Sequence, residues 1–423
     1  MMVRILVPSE QIVLTGEIQH ALLVAELQGL VINEIELGVS PSQYIQVVIE
    51  QSSLSIGSDL WSSDIEGCDF YLSYTSGITP CNQSMRRNQI IIGWQDNNSL
   101  LDVWLHPLSG ETRALSTENH TEHLDAKSHL SWLVALLSLG FPIEDGLTLA
   151  RAKMNVSRET WPSNYKNFPR PIIQDSRLAI AVGWSKQTDM PSFGELHRSS
   201  LGLYPVVNNV AWVEALLKLG VTTLQLRIKD PNTSDLESQI AGAIKLGKEY
   251  QAQVFINDHW QFAIKYQAFG VHLGQEDLEH SNLEKLRDAH VQLGLSTHGY
   301  YELLRIIQLK PSYIALGHIF PTTTKKMPSK PQGLVRLSLY QALIDTIPYG
   351  DQDLNGGEVR YGYPTIAIGG IDLNNAHDVW SCGVSSLAVV RAITLADNPA
   401  QVLQRFASIM QENGERKERA RAN

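Results

Sequence analysis

From Leu203 onward, eight short β-rich runs each precede a stretch with helical periodicity, and no other feature constrains the fold as tightly. The runs are Leu203–Val207, Thr223–Lys229, Gln253–Asp258, Val271–Gly274, Leu293–Thr297, Tyr313–Ile319, Thr365–Gly369 and Ser386–Ile393. The stretches that follow are Ala211–Leu219, Leu236–Tyr250, Trp260–Phe269, Leu283–His290, Tyr301–Leu309, Arg336–Ile347, Asn375–Cys382 and Ala400–Asn413. Gly220 and Gly270 stop the first and third of these. Largely apolar runs suit strands covered on both faces. Eight β/α units in so short a span predict a closed (β/α)8 TIM barrel rather than an open doubly wound sheet.

The first half follows a different grammar. Ile5–Pro8, Leu30–Leu37, Asp69–Ser73, Ile90–Gly93 and Leu101–Leu105 are expected as strands. His129–Leu139 and Ile143–Met154 are expected as helices. Trp161–Pro171 carries three prolines and predicts a linker or sheet edge, and Leu178–Gly183 is one more apolar run. The fold class is therefore α/β, with a separate α/β domain over residues 1–195, a barrel over 196–414 and a charged tail over 415–423.

Composition narrows the partners. A net charge of −10, from 44 acidic and 34 basic residues, argues against a nucleic-acid binder, which needs a basic face. The apolar runs Leu130–Phe141 and Val210–Val221 are too short for a bilayer, and the start lacks a signal-like segment. No membrane partner and a cytoplasmic location are expected, with a homo-oligomer left open. Cys68, Cys81 and Cys382 form no C-x-x-C pair, so three reduced thiols are expected.

Active sites of such barrels lie at the C-terminal strand ends. There the sequence gathers Gln225, Arg227 and Lys229 at the end of strand two, Asn257 and Asp258 at the end of three, and Asp277 just past four. Ser296 stands at the end of strand five, Thr322 to Lys326 follow six, and Gly369 and Gly370 end seven. Alternation sends Gln225, Arg227 and Lys229 to one face. Cations aimed at one mouth suit a di- or polyphosphate. Two carboxylates on neighbouring strands suit Mg²⁺, which takes a few carboxylates, water and phosphate oxygens. Singly, each residue also reads as a solvated charge, an N-cap or a turn. His259, His272, His298 and His318 lack a metal-ligand spacing and read as packing or supporting groups.

These residues carry a resemblance. Gln225-Leu226-Arg227-Ile228-Lys229, Ile256-Asn257-Asp258, Gly270-Val271-His272-Leu273-Gly274-Gln275-Glu276-Asp277 and Leu293 to His298 are similar to blocks of thiamine phosphate synthases. So are Gly317 to Lys325 and Ala367-Ile368-Gly369-Gly370-Ile371. The resemblance covers the barrel, in order. It implies condensation of hydroxymethylpyrimidine diphosphate with hydroxyethylthiazole phosphate, releasing pyrophosphate. It implies that Gln225, Arg227, Lys229, Asn257, Ser296 and Lys325 hold the pyrimidine diphosphate, with Arg227, Lys229, Lys325 and Ser296 catalytic. It implies Mg²⁺ on Asp258 and Asp277. It implies that Thr322, Thr324, Gly370, Val390 and Arg391 hold the thiazole phosphate. Arg391 departs from the family's serine. The polar segment Tyr349–Tyr363 also departs, as an αβ loop expected on the face away from the chemistry.

Ser128–Met154 faintly resembles the late helices of ribokinase-type hydroxymethylpyrimidine phosphate kinases. The stretch His120–Ala126 lacks the glycine of their anion hole, which implies a degenerate, non-catalytic domain; an unrelated α/β domain is the alternative. Rival readings of the barrel are a thiazole tautomerase-like regulatory homologue and a sensor of thiamine intermediates.

Overall fold

The computed structural model describes residues 2–74, 85–118, 124–184, 191–322, 330–350 and 359–422, with side chains up to Gln411. The chain divides into two compact units. One holds residues 1–185 with 299–305, the other 186–298 with 306–423.

In the first unit the strands are β1 (Val3–Pro8), β2 (Ile35–Ser40), β3 (Ile45–Ile49), β4 (Ser52–Ser58), β5 (Phe70–Ser73), β6 (Gln89–Asp96), β7 (Ser99–Leu105), β8 (Thr112–Glu118) and β9 (Arg170–Pro171). Among the described residues they form one sheet in the order β2-β1-β3-β4-β5-β6-β7-β8-β9. The β1·β2, β4·β5 and β5·β6 pairs are parallel and the rest antiparallel. The strands β10 (Gln174–Asp175) and β11 (Ile180–Ala181) make a small hairpin. The proline-rich stretch thus ends as a sheet edge, where prolines are tolerated.

The helices are α1 (Val13–Glu26), α2 (Ala126–Ser138) and α3 (Ile143–Lys153). No helix is expected from the sequence before His129, yet α1 buries Leu14, Ile18, Leu22 and Ala25 at helical spacing. Exposed Val13 and Leu23 blur that stripe in the sequence. The strand expected at Leu30–Leu37 starts only at Ile35, because Ile32 to Ile35 form a turn closed by Ile35 N–H to Ile32 O, 2.8 Å. The α2 helix is buried from His129 to Ser138, so it lies in the core. Arg151 of α3 grips Asp102 of β7 through Nε (2.8 Å) and Nη2, both residues at most 3% exposed, and Asp102 also accepts Gly93 N–H at 2.8 Å. Losing one partner of such a buried, hydrogen-bonded pair costs about 3–5 kcal/mol.

In the second unit β12 (Leu203–Val207), β13 (Thr223–Leu226), β14 (Gln253–Asn257), β15 (Gly270–Leu273), β16 (Gln292–Thr297), β17 (Tyr313–Gly317), β18 (Thr365–Ile368) and β19 (Ser386–Val389) are all parallel. Leu203, Tyr204 and Pro205 pair with Leu387, Ala388 and Val389, closing the barrel. The strand expected at Thr223–Lys229 stops at Leu226, so Arg227 and Lys229 stand beyond the ladder, on the rim.

The interior is aromatic. Tyr204, Phe255 and Tyr313 pack with Val206, Ala315, Ile366 and Ala388. Glycines on neighbouring strands leave the room: a Cβ on Gly270 would lie 2.3 Å from the Phe255 ring, and one on Gly294 2.1 Å from the Tyr313 ring. At the N-terminal strand ends, the Tyr349 hydroxyl meets Leu196 N–H at 2.6 Å and Ser312 O at 3.0 Å. That places the start of the Tyr349–Tyr363 segment opposite the mouth; residues 351–358 lie outside the described residues.

Candidate active site

A cavity of about 890 Å³ opens at the C-terminal ends of the barrel strands. It is lined by Gln225, Arg227, Lys229, Asn257, Asp258, Asp277, Ser296, Thr322, Gly370, Val390 and Arg391. These are all the described members of the residue set expected from the sequence. Thr324 and Lys325 lie outside the described residues.

Local structure aims each group. The Arg227 N–H donates to Val207 O at 2.7 Å, tying the rim after β13 to β12. Asn257 is the last residue of β14, buried and in register with His272 of β15. Asp258 follows at φ +63°, a left-handed conformation that a non-glycine residue adopts at a cost and that recurs at functional sites. Its N–H is satisfied by His272 O at 3.0 Å. Asp277 is in the first turn of the short helix Gln275–Glu279, half-buried. Two carboxylates from adjacent strand ends thus face one cavity with Lys229 and Arg227. Among the described residues no group of three or more His, Cys, Asp or Glu is placed to hold a metal. A cation bound here would have Asp258 and Asp277 as its carboxylate ligands.

On the opposite side, Gly369 and Gly370 have φ +103° and +68°. A Cβ on Gly370 would lie 2.7 Å from Phe320 Cβ and Pro321 O, so only glycine lets the turn pass this closely. Backbone bonds Ile319 N–H to Ile368 O and Phe320 N–H to Gly369 O, each 3.0 Å, zip the two loops together. Asn375 Nδ2 holds Gly370 O at 2.9 Å.

A buried chain of side chains runs under the cavity. His272 Nε2 meets Ser296 Oγ at 2.8 Å and its Nδ1 meets Tyr313 Oη at 2.8 Å. The Tyr313 and Tyr204 hydroxyls are 2.8 Å apart, and Gln225 Nε2 donates to Tyr204 Oη at 3.3 Å. Burial pushes both tyrosines above the ordinary phenol range. His272 is thus a supporting group, in line with its sequence. Burial, with His298 beside it, lowers the pKa of His318.

Other parts carry no motif. Asn208 and Trp212 line the mouth after β12. Gln332 holds His298 O (2.7 Å) and Gly317 O (3.0 Å) with one amide. A strand-end polar residue such as Asn208 could have been suspected by position alone; Gln332 could not.

A cationic, carboxylate-bearing mouth on a (β/α)8 barrel defines a class, the barrel enzymes that handle anionic small molecules. The family described as thiamine monophosphate synthase matches residues 203–393. Over 211 residues the chain is 51% identical to the thiamine-phosphate synthase of Proteus mirabilis, covering 50% of this chain and 91% of that one. It is 54% identical over 208 residues to that of Serratia proteamaculans, covering 48% and 91%. A thiamine phosphate pyrophosphorylase structure from Pyrococcus furiosus, 26% identical, covers 51% of this chain and 98% of that chain with a TM-score of 0.42. The chain belongs to the thiamine-phosphate synthase family. Among the described residues no helix is long and apolar enough to cross a membrane.

Proposed function

We propose that the barrel joins hydroxymethylpyrimidine diphosphate to hydroxyethylthiazole phosphate, giving thiamine phosphate and pyrophosphate. The observation that carries this reading is the convergence of Arg227, Lys229, Asp258, Asp277 and Ser296 on one side of a cavity whose other side is the Gly369-Gly370 turn.

The pyrimidine's methylene carbon carries diphosphate as leaving group. The electron-rich aminopyrimidine ring stabilises a cation at that carbon, so the C–O bond can break before the thiazole nitrogen attacks. Arg227 and Lys229, with Lys325, neutralise the departing diphosphate, and Gln225 and Asn257 orient it. Asp258 and Asp277 would hold Mg²⁺, which supplies further charge neutralisation at the diphosphate oxygens. Ser296 lies against the pyrimidine. Thr322, Thr324, Gly370 and the turn at Val390-Arg391 seat the thiazole phosphate, with Arg391 adding charge. No protein nucleophile is needed; two rings held face to face supply the rest.

Purified full-length protein with both substrates and Mg²⁺ should release pyrophosphate stoichiometrically with thiamine phosphate. Absence of release, or release that ignores the thiazole phosphate, sinks the proposal.

For residues 1–195 the reading is a non-catalytic, kinase-like domain. Of His120–Ala126, residues 120–123 lie outside the described residues. Asp125 caps α2, its carboxylate oxygen accepting Ser128 N–H at 3.1 Å. ATP-dependent phosphorylation of hydroxymethylpyrimidine phosphate by the full chain would refute it.

A further inference from the structure

We infer that the buried chain Gln225–Tyr204–Tyr313–His272–Ser296 is a one-way hydrogen-bond relay that fixes the Ser296 hydroxyl as a donor into the cavity. The inference rests on the proposed contact of Ser296 with the pyrimidine and adds Tyr204, Tyr313 and His272 as positioning residues.

The direction follows from counting protons. Gln225 Nε2 donates to Tyr204 Oη at 3.3 Å. The single Tyr204 proton then goes to its other partner, Tyr313 Oη, at 2.8 Å. The Tyr313 proton goes to His272 Nδ1 at 2.8 Å. With Nδ1 accepting, the ring proton sits on Nε2 and is donated to Ser296 Oγ at 2.8 Å. Ser296 Oγ accepts from below, and its own proton is released toward the cavity it lines. With the Gln225 amide turned as it is, Nε2 toward Tyr204, reversing the chain would leave the Tyr204 proton facing an N–H, among residues that are 2% (Tyr204), 0% (Tyr313) and 4% (Gln225) exposed. Gly294 enforces the geometry, since any Cβ there would strike the Tyr313 ring.

A serine held as donor recognises a lone pair. It therefore selects a ring with an acceptor nitrogen facing it, and orients an aminopyrimidine by that nitrogen rather than by its amino group. The relay begins at Gln225, which also lines the cavity, so the diphosphate side and the ring side share one set of hydrogen bonds.

Two measurements test this. Long-range ¹H–¹⁵N correlation of the histidine rings, with His272 assigned by its loss in His272→Gln, should show the proton on Nε2; a proton on Nδ1 overturns the relay. The second is a double-mutant cycle in steady-state kinetics. Tyr313→Phe should raise KM for the pyrimidine diphosphate by about five- to tenfold, the worth of one buried hydrogen bond. KM for the thiazole phosphate should stay near wild type. In a Ser296→Ala background, Tyr313→Phe should add nothing, whereas equal effects in both backgrounds mean a merely structural role and overturn the relay. His272→Gln, which can still donate to Ser296, should be milder than His272→Leu; equal losses also overturn it. If Tyr313→Phe does not fold, Tyr204→Phe takes its place in the cycle. A wild-type KM in Ser296→Ala alone would instead sink the underlying pyrimidine contact, and the tautomer measurement separates the two failures.

Discussion

The backbone N–H of Asp258 donates to His272 O, 3.0 Å away on the neighbouring barrel strand, while Asp258 itself is held at φ +63°. The ladder between β14 and β15 thus extends one step past Asn257 only because Asp258 accepts a left-handed backbone. That conformation costs on the order of 1 kcal/mol for a residue with a Cβ. Asp258→Gly should accordingly keep a melting temperature at or above wild type. It should also lose at least about 100-fold in kcat/KM, as removal of a charge-stabilising group does. A variant that is destabilised and active would contradict both halves.

Lys229 stands just past the end of β13, exposed at the mouth. If it neutralises the leaving diphosphate, Lys229→Ala should lower kcat/KM by about 100- to 1000-fold, mostly in kcat. Circular dichroism should be unchanged, because the strand ladder ends before it. Near wild-type turnover would remove Lys229 from the reaction.

In the proposed reaction the Gly370 turn helps seat the thiazole phosphate. Gly370→Ala places a Cβ 2.7 Å from Phe320 Cβ and Pro321 O, at φ +68°. KM for the thiazole phosphate should rise about tenfold or more, with KM for the pyrimidine diphosphate near wild type. Equal increases in both would show a general disturbance of the mouth.

Asp145 gives a pH prediction within the first unit. Its Oδ1 accepts Tyr301 N–H at 3.0 Å, and among the described residues its Oδ2 has no hydrogen-bond partner. Burial pushes its carboxyl up from 3.8 to about 7, more than the Tyr301 and Tyr300 amides pull it down. A folded pKa above the unfolded one means that the folded chain binds the extra proton. Stability is then full below about pH 4 and falls as pH rises to about 7, by on the order of 2–4 kcal/mol. Asp145→Asn should flatten this slope and raise the melting temperature at pH 8; an unchanged slope assigns the pH dependence elsewhere.

The barrel was legible because strands covered on both faces leave a recurring apolar signature, and the candidate site was legible because chemistry sits at strand ends. Strand two was read three residues too long, since Arg227 and Lys229 continue the alternation after the pairing stops. The Ser296–His272–Tyr313 chain was illegible, because it joins β15, β16 and β17 by side chains that individually read as core. The first unit was read less fully. Short antiparallel strands such as β3 and β4 show weak alternation, and α1 carries stray apolar residues on its outer face. Among the described residues Cys68 and Cys382 form no disulfide; Cys81 lies outside them.

The barrel closes by pairing Leu203–Pro205 with Leu387–Val389. During synthesis the chain leaves the ribosome N-terminus first, so β12 waits for its second neighbour until nearly the whole protein has emerged. Until then β12 offers a bare edge able to pair with another nascent chain. A chain that stops between β13 and residue 389 is therefore left with an open sheet rather than a smaller barrel.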